Sequence, residues 1–265
     1  MNKYEIMGVN IKDIQVKMLN ILVEIDKICK KHKIKYILDS GTLLGAIRHK
    51  GFIPWDDDID IAMLREDYEK FVQVATNELK NNIIFEDMRV RNHFPNIFGK
   101  CYDNNTLYLE DGTQHLDVNH GIWLDVFPMD NINIKTKWLH CRIIASFNTI
   151  RLLKLGVIKF NLKYLFYAPF LVLPLNWINL FIQKVLTYYS NTKSEYVCPI
   201  CQSGTKKPIF HRTMFTNIML VVFEGKLFPV PVEYDKYLKG YYTSPMQLPP
   251  EEKRHPGHQI IKVRI

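Results

Sequence analysis

The stretch from Leu38 to Met63, LDSGTLLGAIRHKGFIPWDDDIDIAM, constrains this chain more than any other. Asp56, Asp57, Asp58 and Asp60 crowd together there and end in the alternation Asp58-Ile59-Asp60-Ile61. Alternation is a strand pattern, in which residues i and i+2 share a face. It predicts Asp58 and Asp60 on one side of a strand, about 7 Å apart at roughly 3.3 Å per residue, with Asp57 facing the other way. Aspartate is disfavoured in strands, and such clusters are ordinarily solvated turns. Two carboxylates held on one face repel each other, and a hard divalent cation with oxygen ligands, Mg²⁺ or Mn²⁺, relieves that repulsion. Asp58 and Asp60 are therefore candidate metal ligands. Asp56 shares their parity, nearer to Pro54.

The glycine turn Ser40-Gly41-Thr42 lies between the apolar run Tyr36-Ile37-Leu38 and a short helix expected over Leu43 to Arg48. Backbone N–H groups at a helix start attract phosphate oxygens, and glycine lets a ligand approach closely. A glycine turn beside paired carboxylates, with Arg48 between them, is the combination expected for a metal–phosphate substrate. A further carboxylate, Asp125, stands in the apolar run Gly121-Ile122-Trp123-Leu124-Asp125-Val126-Phe127, which Pro128 is expected to end. Buried there, it requires a partner: a metal shared with Asp58 and Asp60, or a salt bridge to an arginine. Asp130 is read as a cap for the helix that follows.

SGTLLGAIRHKGFIPWDDDIDIAM resembles the LicD family of phosphotransferases, a branch of the nucleotidyltransferase superfamily that includes fukutin-related sugar-modifying proteins. The distal segment LFPVPVEYDKYLKGYYTSPMQLPPEEKRHPGH is similar to the family's closing segment, so the resemblance runs from about residue 11 to 258. It implies an α/β (α+β) nucleotidyltransferase-like mixed sheet with flanking helices, and a catalytic, metal-binding set of Asp58, Asp60 and Asp125. It also implies transfer of a phosphocholine-like headgroup from CDP-choline or a similar CDP-linked donor to a hydroxyl of a cell-surface glycan, such as teichoic acid or lipopolysaccharide, or its lipid-linked precursor. Lys100, Arg254 and His258 enter as substrate contacts through this likeness, beside Ser40, Gly41, Thr42 and Arg48. Two alternatives stay open: an enzyme of the same superfamily that transfers a nucleotide from an NTP, and a catalytically silent glycan- or membrane-binding protein.

A chain of 265 residues with 47% hydrophobic content can bury a full core. Three segments are expected: a catalytic core over 1–130, a basic and apolar helical lobe over 131–194, and a closing segment over 195–265. Residues 11 to 32 carry an apolar stripe at helical spacing, and a second helix is expected from Arg65 to about Leu79. Arg65 reads either as a phosphate contact or as an ordinary surface charge. Short strands fill 83 to 109, with turns at Asn81-Asn82 and Asp103-Asn104-Asn105. Cys198 and Cys201 have the spacing of half a zinc site, but no second pair follows. Phe228 to Pro231 reads as extended, Tyr234 to Leu238 as a short helix, and Pro249 to His255 as a closure over the site. Nothing is read from residues 259–265.

Charge is distributed unevenly. From Asn131 to Ser194 there is no Asp or Glu but nine Lys or Arg, against a net charge of +8 for the whole chain. Within this segment Tyr164 to Gln183 carries no charge. Pro169, Pro174, Asn176 and Asn179 argue against a simple spanning helix, which leaves a buried helical hairpin or an interfacial lobe on anionic lipid. The opening MNKYEIMGVN lacks the apolar run of a signal peptide. The expected location is cytoplasmic, peripheral on the inner face of a membrane. Nucleic acid is not an expected partner, because no recognised module accompanies the basic charge.

Overall fold

The computed structural model describes residues 4–79, 82–202 and 207–265. Met1 to Lys3 of the opening segment and Asn81 of an expected turn lie outside them. A small hairpin, β1 (Glu5–Ile6) and β2 (Val9–Asn10), leads into α1 (Ile11–His32), whose first N–H groups are capped by the Asn10 side chain. The apolar stripe of α1, including Ile14, Met18, Ile21 and Ile25, is fully buried. Each such side chain contributes about 1.5–3 kcal/mol when removed from water.

After β3 (Ile37–Leu38), the chain enters α2 (Ser40–His49). This helix starts three residues earlier than the spacing predicts, because Asp39 caps it by accepting the Ser40 N–H. Next come β4 (Asp60–Leu64), α3 (Arg65–Glu78), β5 (Ile83–Glu86), β6 (Gly99–Asp103), β7 (Leu107–Glu110) and β8 (Ile122–Asn131). A mixed seven-stranded sheet is built around β8. On one edge β8 pairs in parallel with β4, which pairs with β3; along the other it pairs antiparallel first with β6 and then with β9 (Tyr196–Cys198). One face of this sheet packs against α1 and α3 in the main apolar core.

Between β8 and β9 lie α4 (Lys137–Lys154), a 3-10 segment (Leu162–Val172) and α5 (Leu175–Leu186). They gather a second apolar cluster around Ile144, Ile178 and Ile182, which meets the sheet at Phe127. The chain closes through β10 (Phe210–His211), the hairpin β11 (Ile218–Phe223) and β12 (Lys226–Pro231), α6 (Tyr234–Tyr241), and β13 (Ile260–Arg264), which pairs with β7.

Three expectations are corrected, and one strand was not foreseen. Pro128 does not end its strand. The Asp125 N–H points to the β4 side, where it donates to the Ile59 carbonyl, so the missing N–H of Pro128 lies on the opposite edge, between the start of β6 at Gly99 and the end of β9 at Cys198. Asp130 is not a helix cap: it is buried in β8 and pairs with Arg65 Nε at 2.6 Å. Arg65 is therefore neither a phosphate contact nor a surface charge, being enclosed between Asp130 and Glu69. Residues 260–264 form a strand where no signal was read.

Candidate functional site

Strand register assembles the centre of the site. Lys100 on β6, Asp125 on β8 and Asp60 on β4 are direct cross-strand partners, so the three side chains stand in one row on one face. All three are buried, at 5%, 5% and 9% exposure. Lys100 Nζ lies 2.6 Å from Asp125 Oδ1 and 4.3 Å from the centre of the Trp123 ring. The required partner of Asp125 is thus a lysine, two strands from Asp60, rather than an arginine. Sequence had marked Lys100 only as a phosphate contact.

Asp58 is not on the strand. β4 begins at Asp60, and Asp58 sits in the preceding connection, so the expected i, i+2 pair on one strand face is not formed. The connection is pinned from outside: Gln15 on α1 donates to the Asp56 carbonyl at 2.9 Å, and the Thr42 hydroxyl on α2 accepts the Asp60 N–H at 2.8 Å. The four carboxylates are nevertheless electrostatically joined. Burial, then Asp58 and Asp125, push Asp60 well above the ordinary carboxylate range. Burial pushes Asp58 up to about 6, with Asp125 and Asp57 adding to the rise while His258 and Lys100 oppose it. Asp56 is raised well above its usual value by burial and then by Asp58 and Asp57.

The start of α2 faces this cluster. Ser40 adopts φ +45°, a strained backbone for a non-glycine residue of the kind found at functional turns. At Gly41 a Cβ would stand 3.0 Å from Asp56 Oδ2, so the missing side chain is what admits that carboxylate. A helix cannot satisfy its own first N–H groups, which leaves those of Gly41 and Thr42 available. Asp39, which sequence reading passed over, is fully buried; burial pushes it up to about 6 against bonds donated by Tyr237 and Ser40. Its signal was the cap pattern Asp-Ser-Gly-Thr.

The C-terminal segment lies against the aspartate connection at Gly257 and His258 and against α2 at Pro245 and Gln247. Arg48 donates to the carbonyls of Pro245 and Gln247, and the Arg254 guanidinium lies 5.7 Å from the centre of the Trp55 ring. Asp57 also precedes β4, so strand parity does not set its facing; its role had been missed, for it accepts the backbone N–H groups of Gly257 and His258 at 2.8 and 3.1 Å. Burial works to raise the Asp57 carboxyl, but the bonds from His258 and Gly257 outweigh it and hold it below the usual range. Burial likewise opposes a charged His258, yet Asp57 and Asp58 raise its ring to about 9. Tyr242, for which there was no sequence signal, is half-buried beside Asp60 and Asp56. A cavity of about 480 Å³ is lined by Phe98, Glu110, Ile144, Asn148, Gln202 and Lys207 among others; it includes no residue of the row, though the Phe98 ring lies 5.6 Å from Lys100 Nζ.

Cys198 and Cys201 do not form half of a zinc site. Cys198 meets Cys141, and the Cys201 Sγ turns to the Pro128 carbonyl at 3.7 Å. Among the described residues no three Asp, Glu, His or Cys side chains converge as a ready ligand set. The aspartate cluster still fits a hard cation by chemistry, because its donors are all carboxylate oxygens and they carry mutual repulsion that Lys100 and His258 offset only in part.

The family model described as LicD/FKTN/FKRP, nucleotidyltransferase domain, matches residues 33–167, which contain α2, the aspartate connection, Lys100 and Asp125. This chain belongs to the LicD family. It is 32% identical to the lipopolysaccharide cholinephosphotransferase LicD of Haemophilus influenzae, over 94% of this chain and 96% of that protein. An uncharacterized protein of Rickettsia typhi is 28% identical over 60% of the chain and 58% of its own length. One from Rickettsia prowazekii is 42% identical over 24% of the chain and 23% of its own length. The mixed α/β sheet is the architecture that the LicD resemblance implied.

Proposed function

We propose that this LicD-family chain transfers a phosphocholine-like headgroup from a CDP-linked donor to a hydroxyl of a cell-surface glycan or its lipid-linked precursor. The observation that carries the reading is the buried row Lys100–Asp125–Asp60, set beside Asp56, Asp58 and the open start of α2. The likeness to the Haemophilus influenzae cholinephosphotransferase over nearly the whole of both chains supports it. Asp58, Asp60 and Asp125, with Asp56, would hold Mg²⁺ or Mn²⁺, which when bound neutralises diphosphate charge. The free N–H groups of Gly41 and Thr42 receive phosphate oxygens. Lys100 holds Asp125 through Oδ1, and Asp125 would take the proton of the acceptor hydroxyl through an oxygen that the cation does not occupy. That hydroxyl forms the new bond to phosphorus, and the bond to the leaving CMP breaks in line with it. Arg48, Arg254 and His258 hold the closing segment over the cluster, which keeps water from competing as acceptor.

Calorimetric binding of CDP-choline, CDP-ethanolamine, CDP-ribitol and CTP, each with and without Mg²⁺ and repeated on Asp58→Asn, tests this. Metal-dependent binding of one CDP-linked compound, lost in the variant, is the expected result. Preference for CTP, with pyrophosphate as the product, would replace headgroup transfer by nucleotidylation. Binding of none of them would leave a glycan-binding protein on a transferase fold.

A further inference from the structure

The segment rich in Lys and Arg has a second property that only the coordinates show: its apolar side chains point outward. Leu162 is 87% exposed, Val172 82%, Phe166 80%, Trp138 68%, Leu180 64% and Trp177 62%. The 3-10 segment Leu162–Val172 buries none of its residues. Helix α5 is two-faced, with Ile178, Asn179, Ile182 and Leu186 inward and Trp177, Leu180, Phe181 and Lys184 outward at helical spacing. These exposed residues come from three consecutive elements, and the first and last of them are held rigidly by their buried faces in the second apolar cluster. A patch of this kind on an ordinary soluble surface would be exceptional.

The charges around it are of one sign. Of the nine basic residues between Asn131 and Ser194, Arg151 is turned inward, bonded to Asn179 Oδ1 at 2.6 Å and the Pro95 carbonyl at 2.8 Å. Lys137 is half-buried and bonds the Lys207 carbonyl. The other seven are exposed, among them Lys159 and Lys163 beside Leu162, and Arg142, which stacks 5.2 Å from the centre of the Trp138 ring. Because no acidic residue interrupts the segment, two copies meeting face to face through this patch would oppose like charges.

We infer that α4, the 3-10 segment and α5 form a lobe that docks on an anionic lipid bilayer, its Trp, Phe and Leu side chains entering the headgroup region and its Lys and Arg meeting lipid phosphates. The lobe lies on the bilayer and does not cross it. No single helix among the described residues is long and apolar enough to span, and the two apolar pieces that together reach that length are bent by 102°. Right-angled, partly charged helices with one apolar face are the form of an interfacial anchor. Helix α4 also lines the cavity of about 480 Å³, so docking brings that cavity near the lipid surface.

The test is flotation of the full chain with vesicles of phosphatidylcholine alone and of phosphatidylcholine mixed with phosphatidylglycerol. The expected result is co-flotation with the mixed vesicles, weakened by high salt, and little or none with phosphatidylcholine alone. The double variant Leu162→Asp/Phe166→Asp, altering only exposed side chains, should bind roughly tenfold less or worse. Lys159→Glu/Lys163→Glu should lose the preference for the anionic lipid while retaining an unchanged melting temperature. No flotation of the wild type with either vesicle would overturn the inference. Equal flotation of the Asp double variant would do the same, and so would concentration-dependent dimerisation that this variant abolishes, since it would assign the patch to a second copy. Flotation reads no transfer activity, so its outcome is independent of the proposed reaction.

Discussion

The buried Lys100–Asp125–Asp60 row and the α4–α5 lobe break the same rule in opposite directions. In the row, carboxylates that belong in water are buried: Asp60 and Asp125 are both below 10% exposed, and Asp57 in the connection before β4 is buried as well. In the lobe, large apolar side chains that belong inside are exposed, from Trp138 to Leu180. Both arrangements cost stability, and both are held by ordinary structure next to them: the row by strand register and the Lys100 ion pair, the lobe by the inward faces of α4 and α5. The difference is in what each lacks. The row is short of positive charge, whereas the lobe has an excess of it and is short of an apolar cover. Each deficit names the class of ligand that would fill it.

This contrast can be broken or sharpened by substitution. Asp60→Asn should lower transfer activity by about 10³-fold or more, because a positioned charge in a dry site is lost, yet leave the melting temperature unchanged or higher, since it also removes a repelled buried carboxylate. Activity and thermal melts on the same preparation decide it; a large drop in melting temperature would mean that the row is structural. Lys100→Met should cost about 3–5 kcal/mol in denaturant unfolding, because Asp125 is left buried without its ion pair. The lobe should respond oppositely on its two faces. Ile182→Ala is expected to cost about 2–4 kcal/mol, and Phe166→Ala to stay within about 0.5 kcal/mol while raising solubility. Equal losses would show that Phe166 is packed in solution. The smallest effect is expected from Gly41→Ala. Its new Cβ crowds Asp56, so activity should fall about tenfold, while stability changes by less than about 1 kcal/mol because alanine favours the helix.

What was legible in the sequence follows from how local each signal is. Helix α1 was readable to the residue, because an apolar stripe at a 3.6-residue period needs no knowledge of its partner. Asp58, Asp60 and Asp125 were marked as a set through motif resemblance, while the role of Asp57 was not read. The strand boundary was not: alternation suggested that Asp58 belonged to β4, but the bonds from Gln15 and Thr42 that shape the connection come from two helices. Pro128 and Asp130 were misread because both readings assumed that β8 ends where its sequence turns unfavourable. The strand continues because Pro128 meets the edge at the junction of two partner strands and Asp130 meets Arg65.

By itself, then, the sequence determined the family, the alternation of elements, the cluster of aspartates at 56–60 and the one-sided charge of residues 131–194. All of these are properties of spacing and composition along the chain. Only the tertiary structure decided that Lys100 is the partner of Asp125, that Asp57 ties down the closing segment, and that the apolar run near Phe166 faces outward. Those facts depend on cross-strand register and on which helix face meets the core, and both are settled by packing between segments far apart in sequence.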